Sequence, residues 1–196
     1  AMLETKVLPD FITIDGSEGG TGAAPVEFSN RLGTPCIEAT YYINQVLVGA
    51  GLRDQIRLIS AGQTASGFDM LEKIALGADS VNAARSMMIA LGCVQAKACN
   101  TNECPTGIAT QNPARARAID LKEKSERVKN FQRTTVHAFI ELCGAMGFSN
   151  PSDLAPSDII SRFEGRATNF DEIFEPLIEN QLHSDSIPNS YRDDWH

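Results

Sequence analysis

Three cysteines fall within twelve residues, in Cys93-Val-Gln-Ala-Lys-Ala-Cys99-Asn-Thr-Asn-Glu-Cys104-Pro105, at a spacing of C-x5-C-x4-C. Thiolates are soft ligands suited to zinc or to iron–sulfur clusters. Structural zinc takes four ligands, commonly with cysteine pairs two to four residues apart. This run has three cysteines, no nearby histidine and no such pair. A three-iron cluster needs one cysteine per iron, and the closing Cys-Pro matches ferredoxin-type runs. The alternatives are a zinc site completed by Cys36 or Cys143, and three unrelated buried thiols, cysteine being a commonly buried residue. The spacing favours iron and sulfur.

Three loops could cradle an anion. The first is Gly16-Ser-Glu-Gly-Gly-Thr-Gly22. Glycines let backbone approach a ligand closely and turn N–H groups toward it. The plain alternative is a sharp strand-to-helix turn. It is not a P-loop, which needs Gly-Lys-Ser/Thr. The other two loops are Ser60-Ala-Gly62-Gln63 and Asn82-Ala83-Ala84-Arg85. An arginine there can hold a phosphate through two parallel hydrogen bonds, or simply make a surface ion pair.

The elements that must position these loops repeat. Asp10 to Asp15 reads as a strand, and Glu38 to Ala50 as a helix stopped by Gly51. Ile56 to Ile59 is the second strand, followed by a helix over Phe68 to Leu76 that Gly77 closes. Ser80 to Ala83 and then Met87 to Leu91 form a shorter third unit. Strand, small-residue loop and helix, three times over, predict βα units around a parallel sheet. In such sheets the loops after the strands carry the chemistry. From about Asp120 the character changes. Val128, Phe131, Thr135, Phe139, Leu142 and Met146 recur at three- and four-residue steps, which predicts an amphipathic helix ended by Gly147. Ser157 to Phe163 reads as a further short helix, and His183 to His196 as a surface-hugging or frayed tail.

Bulk properties set limits. The 196 residues are 42% hydrophobic and 21% charged, enough for a core of useful size. A net charge of −8 argues against binding to a nucleic-acid backbone, which needs clustered Lys and Arg. Apolar runs are too short to span a membrane. Five cysteines, an odd number, with no leader-like segment, predict a reduced cytoplasmic setting rather than a disulfide framework.

Together these segments resemble the FMN-binding domain of glutamate synthase and its smaller FMN-binding relatives. The resemblance rests on Ile14-Asp-Gly-Ser-Glu-Gly-Gly-Thr-Gly-Ala-Ala-Pro25, on Gly51-Leu-Arg-Asp54, on Ser60-Ala-Gly62, and on Gly92-Cys93 through Gly107-Ile-Ala-Thr-Gln111. It implies that Gly19, Gly20 and Thr21 line the flavin site. It also implies that Gly62, Gln63, Ala84 and Arg85 sit near the FMN phosphate, and that Cys93, Cys99 and Cys104 hold a 3Fe-4S cluster. Larger glutamate synthases carry His-Asp before the Gly-Gly; this chain has Ser17-Glu18, which makes Glu18 the candidate catalytic residue. The family reaction is reductive amination of 2-oxoglutarate to L-glutamate, with electrons from an NADPH-linked subunit or ferredoxin.

A (β/α)8 barrel takes roughly 250 residues, and the sequence supplies about three βα units. The expected fold is therefore the C-terminal part of a TIM-type barrel over residues 1–118, with a helical extension and tail over 119–196. By resemblance the units are the sixth to eighth of the barrel. The expectation is a fragment, inactive alone and weak in FMN binding. Its open sheet edges call for the N-terminal remainder of the barrel or another copy of the chain. A non-enzymatic iron–sulfur or metal-binding module and a generic phosphate-binding barrel are the alternatives. The latter type, exemplified by inosine-monophosphate dehydrogenase, uses one loop cysteine rather than three.

Overall fold

A computed structural model describes residues 2–16, 32–173 and 175–195. Three parallel strands, β1 (Phe11–Asp15), β2 (Arg57–Ala61) and β3 (Ser80–Asn82), lie in the order β1-β2-β3. Thr13 pairs with Ile59, and Ala61 faces Asp15 on one side and Asn82 on the other. The strands therefore end level, and the loops after β2 and β3 emerge side by side. Helices α1 (Cys36–Gly49), α2 (Gly67–Ala75) and α3 (Arg85–Leu91) follow the strands in turn. The chain is thus α/β with a parallel sheet. Among the described residues β1 and β3 are its two edges.

Local chemistry sets the boundaries. Ser66 caps α2: its Oγ accepts from the Asp69 backbone N–H at 3.2 Å, and Asp69 Oδ2 accepts from the Ser66 N–H at 2.8 Å. Two orphan donors are satisfied reciprocally. Gly77 closes the segment at φ +105, in the left-handed region that glycine occupies without a steric penalty.

The long helix α4 (Leu121–Ala145) starts at Asp120, whose Oδ1 accepts from the Glu123 N–H at 3.0 Å. It packs across α2 and α3. Phe139 and Cys143 are its buried anchors, and the contact is close enough that a Cβ on Gly67 would lie 2.5 Å from the Phe139 backbone nitrogen.

Two apolar clusters hold the molecule. One joins Ile14, Leu47, Ile56 and Leu58 to Leu182 and Tyr191 of the C-terminal segment. The other joins Tyr41, Leu71 and Leu76 to Phe139, Leu154 and Phe170. Each fully buried Leu or Phe contributes about 1.5–3 kcal/mol, so residues beyond 119 stabilise both sides of the βα layer. The last segment hugs the surface and is well packed. Gln45 Oε1 accepts from the Leu177 N–H at 2.8 Å, Tyr191 stacks on Tyr42 at 5.2 Å, and Tyr42 Oη donates to Asp194 at 2.7 Å.

One sequence expectation fails here. Residues 157–163 are not a helix. Ile160–Phe163 (β4) pairs antiparallel with Arg166–Asn169 (β5) through a turn at Glu164 and Gly165, both at positive φ. Glycine at φ +82 favours this reversal, and the hairpin keeps Ile159 in the core beside Phe170. No described helix is long and apolar enough to cross a membrane.

Candidate functional site

The loops after β2 and β3 meet. Gly62 follows Ala61, and Ala83 follows Asn82, the partner of Ala61. The two loops are tied directly: Ser86 Oγ donates to the Thr64 carbonyl oxygen at 2.7 Å, and both residues are buried. Gln63 holds φ +40, a conformation unfavourable for a residue with a Cβ. Gln63, Ala84 and Arg85 are exposed along this ridge, with Gly62 half-buried beside them. A small cavity lies under the two loops, lined by Thr64, Ala83, Ser86 and Met87 and, from α4, by Phe131 and Thr135. The four residues expected near a phosphate, Gly62, Gln63, Ala84 and Arg85, thus share one edge of the layer. Glu18, Gly19, Gly20 and Thr21 lie outside the described residues.

At the end of β1, Gly16 touches the start of α1 so closely that a Cβ there would overlap Cys36. Cys36 is buried, with its Sγ 3.2 Å from Ser60 Oγ, and Thr40 Oγ1 lies 2.9 Å from the same hydroxyl. This small polar group welds α1 to β2. Cys143 is buried in the second apolar cluster, where burial pushes its thiol pKa up.

The cysteine run forms a compact loop after α3. Cys93, Cys99 and Cys104 line one cavity together with Lys97, Pro105 and Thr106. Neither Cys36 nor Cys143 lines it, so a zinc site completed by either is not formed. No group of three His, Cys, Asp or Glu side chains among the described residues converges to hold a single metal ion. The three cysteines share this one cavity without forming such a group.

Electrostatics single out one thiol. Thr106 Oγ1 lies 3.3 Å from Cys104 Sγ, and the backbone N–H groups of Thr106, Ile108 and Ala109 point at the same sulfur. The Thr106 hydroxyl first, then the Ala109 N–H, bring the Cys104 pKa down to about 7. The loop is braced by its own side chains. Asn102, at φ +64, accepts from Thr110 Oγ1 at its carbonyl (2.7 Å) and from the Gln111 N–H at its Oδ1 (2.5 Å). Arg115 Nη1 donates to the Glu103 carbonyl at 3.1 Å. Thr64, Ser86, Asn102 and Thr106 were not evident as site residues in the sequence. Lone Ser, Thr and Asn residues carry no spacing signal; only the Thr-x-Glu-Cys-Pro-Thr context hints at Thr106.

A parallel βα layer followed by a three-cysteine loop makes this an α/β protein. Residues 2–149 match the family model for the conserved region in glutamate synthase, and the chain belongs to the glutamate synthase family. It is 37% identical over 171 residues to the glutamate synthase large subunit-like protein YerD of Bacillus subtilis, covering 87% of this chain and 33% of that protein. It is 39% identical over 145 residues to the archaeal NADPH glutamate synthase of Methanocaldococcus jannaschii, covering 74% and 28%. The large chain of the NADPH glutamate synthase of Bacillus subtilis is 33% identical over 147 residues, covering 73% and 9%. The chain therefore spans a third or less of the length of these relatives. Among solved structures, a mutant flavocytochrome b2 with pyruvate bound aligns with 88% of this chain and 42% of that one, at a TM-score of 0.47 and 14% identity.

Proposed function

We propose that this chain is a component of a flavin and iron–sulfur oxidoreductase whose parent reaction is the reductive amination of 2-oxoglutarate to L-glutamate. The observation that carries this reading is the common cavity of Cys93, Cys99 and Cys104. A single zinc ion would need every sulfur within about 2.3 Å of one point. Three cysteines on one cavity, with no fourth ligand beside them, match in number a 3Fe-4S cluster, in which each cysteine takes its own iron. The depressed pKa of Cys104 favours the thiolate that a metal requires.

FMN, when bound, supplies hydride and single-electron chemistry. Gly62, Gln63, Ala84 and Arg85 would hold its phosphate through backbone N–H groups and the guanidinium. Gly19, Gly20 and Thr21 would face its ring, and Glu18 would handle a proton beside it. Residues 1–118 read as the closing three units of a TIM-type barrel and 119–196 as its extension. On this reading the chain works in the cytoplasm with the remainder of the barrel or a second copy, takes electrons from an NADPH-linked subunit or ferredoxin, and is inactive alone.

Anaerobic reconstitution with iron and sulfide, followed by metal analysis, tests the cluster. The expected result is a three-iron cluster with its visible and paramagnetic spectra, lost on Cys99→Ser. One zinc per chain and no iron uptake would overturn it.

A further inference from the structure

Lys124, Arg127, Phe131 and Thr135 follow one another in α4 at steps of three and four residues, so they share one face of the helix. The fold lays this face along α3 and α2. Lys124 and Arg127 reach over Gly92, the residue that closes α3: a Cβ there would lie 3.5 Å from Lys124 Nζ and 4.0 Å from Arg127 Nη1. Further along, Phe131 and Thr135 line the cavity beneath the loops after β2 and β3, together with Thr64, Ala83, Ser86 and Met87. Beyond them, the backbone at Ala138 and Phe139 meets Gly67, the first residue of α2, with no room for a methyl group. One helix therefore bears on the N-terminal ends of both α2 and α3, where the two loops enter their helices.

The cavity is a joint between elements. At about 30 Å³ it has room for a water molecule or two and none for a cofactor. The tie between the loops, from Ser86 Oγ to the Thr64 carbonyl at 2.7 Å, lies at this joint. Next to Thr64, Gln63 sits at φ +40, a conformation that persists only where the surroundings over-determine it. On the α4 side, Thr135 Oγ1 donates to the Phe131 carbonyl at 2.9 Å, which holds the Thr135 side chain in place. Phe131 and Thr135 are half-buried, whereas Gln63, Ala84 and Arg85 are exposed.

We propose that Phe131 and Thr135 are positioning residues for a phosphate: through the Thr64–Ser86 tie they keep the backbone N–H groups of the two loops at the spacing that a phosphate group needs. This rests on the reading that Gly62, Gln63, Ala84 and Arg85 take the phosphate of FMN. Donors to a ligand work only when held within about 0.5 Å of their productive places by the packing behind them. Hydrogen bonds to phosphate are short and charge-assisted, so a small displacement of the donors weakens them steeply. A loop that carries an unfavourable φ at Gln63 relaxes once the wall behind it yields. The helical extension is thereby part of the phosphate site, acting through the loops rather than on the ligand.

The test follows the amide signals of Gly62, Gln63, Ala84 and Arg85 in the isotopically labelled full chain as FMN, inorganic phosphate or riboflavin is added. FMN and inorganic phosphate are expected to move these signals, and riboflavin, which lacks the phosphate, to leave them in place. Phe131→Ala removes part of the cavity wall, and Thr135→Leu intrudes on the cavity. Each is expected to weaken FMN and inorganic phosphate alike by about tenfold, the equivalent of one charge-assisted hydrogen bond. Hydrogen exchange should quicken at residues 62–66 and 83–87 and stay unchanged in β1 and β2. Phe131→Leu should keep most of the affinity, and Asn130→Ala, exposed on another face of α4, all of it. Unchanged phosphate affinity in both cavity variants, or exchange that quickens equally in β1 and β2, would overturn the positioning role and leave the phosphate reading standing. An unchanged chain that answers FMN and riboflavin equally, or ignores inorganic phosphate, would overturn that reading and the proposal with it.

Discussion

Ser86 Oγ donates a 2.7 Å hydrogen bond to the Thr64 carbonyl oxygen, joining the loop after β2 to the helix after β3. Neighbouring parallel strands place their loops side by side, but this bond fixes one loop against the other. Ser86→Ala leaves a buried carbonyl without its partner, which costs about 1–3 kcal/mol. Urea unfolding should register that loss, and limited proteolysis should show faster cleavage around Gly62–Ser66.

Asp79 joins the turn before β3 to two arginines and a strand. Its Oδ2 accepts from the Leu58 N–H and from Arg53, both at 2.8 Å, and its Oδ1 from Arg57 at 3.0 Å. Burial pushes its pKa up, but the Leu58 N–H and the two guanidiniums outweigh that and hold it below the usual carboxylate value. A depressed folded pKa means that the stabilisation is present above the unfolded pKa and is lost as pH falls through the folded one. Thermal melts should therefore show a loss of stability on acidification below about pH 4 that is smaller in Asp79→Asn.

In the metal-free protein, Cys104 should titrate near pH 7, below the ordinary thiol range. The thiolate is favoured by folding, so its contribution to stability is present above the unfolded pKa and is lost as pH falls through about 7. Thr106→Val removes a donor to the thiolate and should raise the midpoint. Thiolate absorbance near 240 nm, compared with Cys104→Ser, measures the shift.

Gly67 faces the α4 backbone with no room for a methyl group: its Cβ would lie 2.5 Å from the Phe139 nitrogen and 2.9 Å from the Ala138 carbonyl carbon. Gly67→Ala must push α2 and α4 apart, at a cost of about 1–3 kcal/mol. Chemical denaturation should show this destabilisation, whereas alanine at Gly144, which has open space around it, should be neutral or stabilising.

The C-terminal segment docks over Gly49, where a Cβ would sit 2.7 Å from Leu177 and 2.8 Å from Leu182. Leu182 is 2% exposed. Leu182→Ala should destabilise the fold by about 2–5 kcal/mol, read as a lowered denaturation midpoint, whereas Ile178→Ala, 73% exposed, should have little effect.

By itself the sequence determined the elements and the family. Short β-branched runs, small-residue loops and glycine stops were enough for β1, β2 and β3 and their helices, because periodicity and glycine conformation act over a few neighbouring residues. The three-cysteine spacing was legible for the same reason: the ligands lie in one continuous stretch. The tertiary structure decided what depends on distant residues. Ile160 to Phe163 became a strand because a left-handed turn and β5 offered it a partner. Residues 183–195, which read as a surface-hugging or frayed tail, are held to the core because Tyr42 and its neighbours present a surface for Tyr191 and Trp195 to cover. Folding also gathered Lys97, Arg115, Lys124 and Arg127 around the cysteines, and aimed the Thr106 hydroxyl at Cys104. Charge proximity and hydrogen-bond geometry exist only once the chain has brought separate segments together.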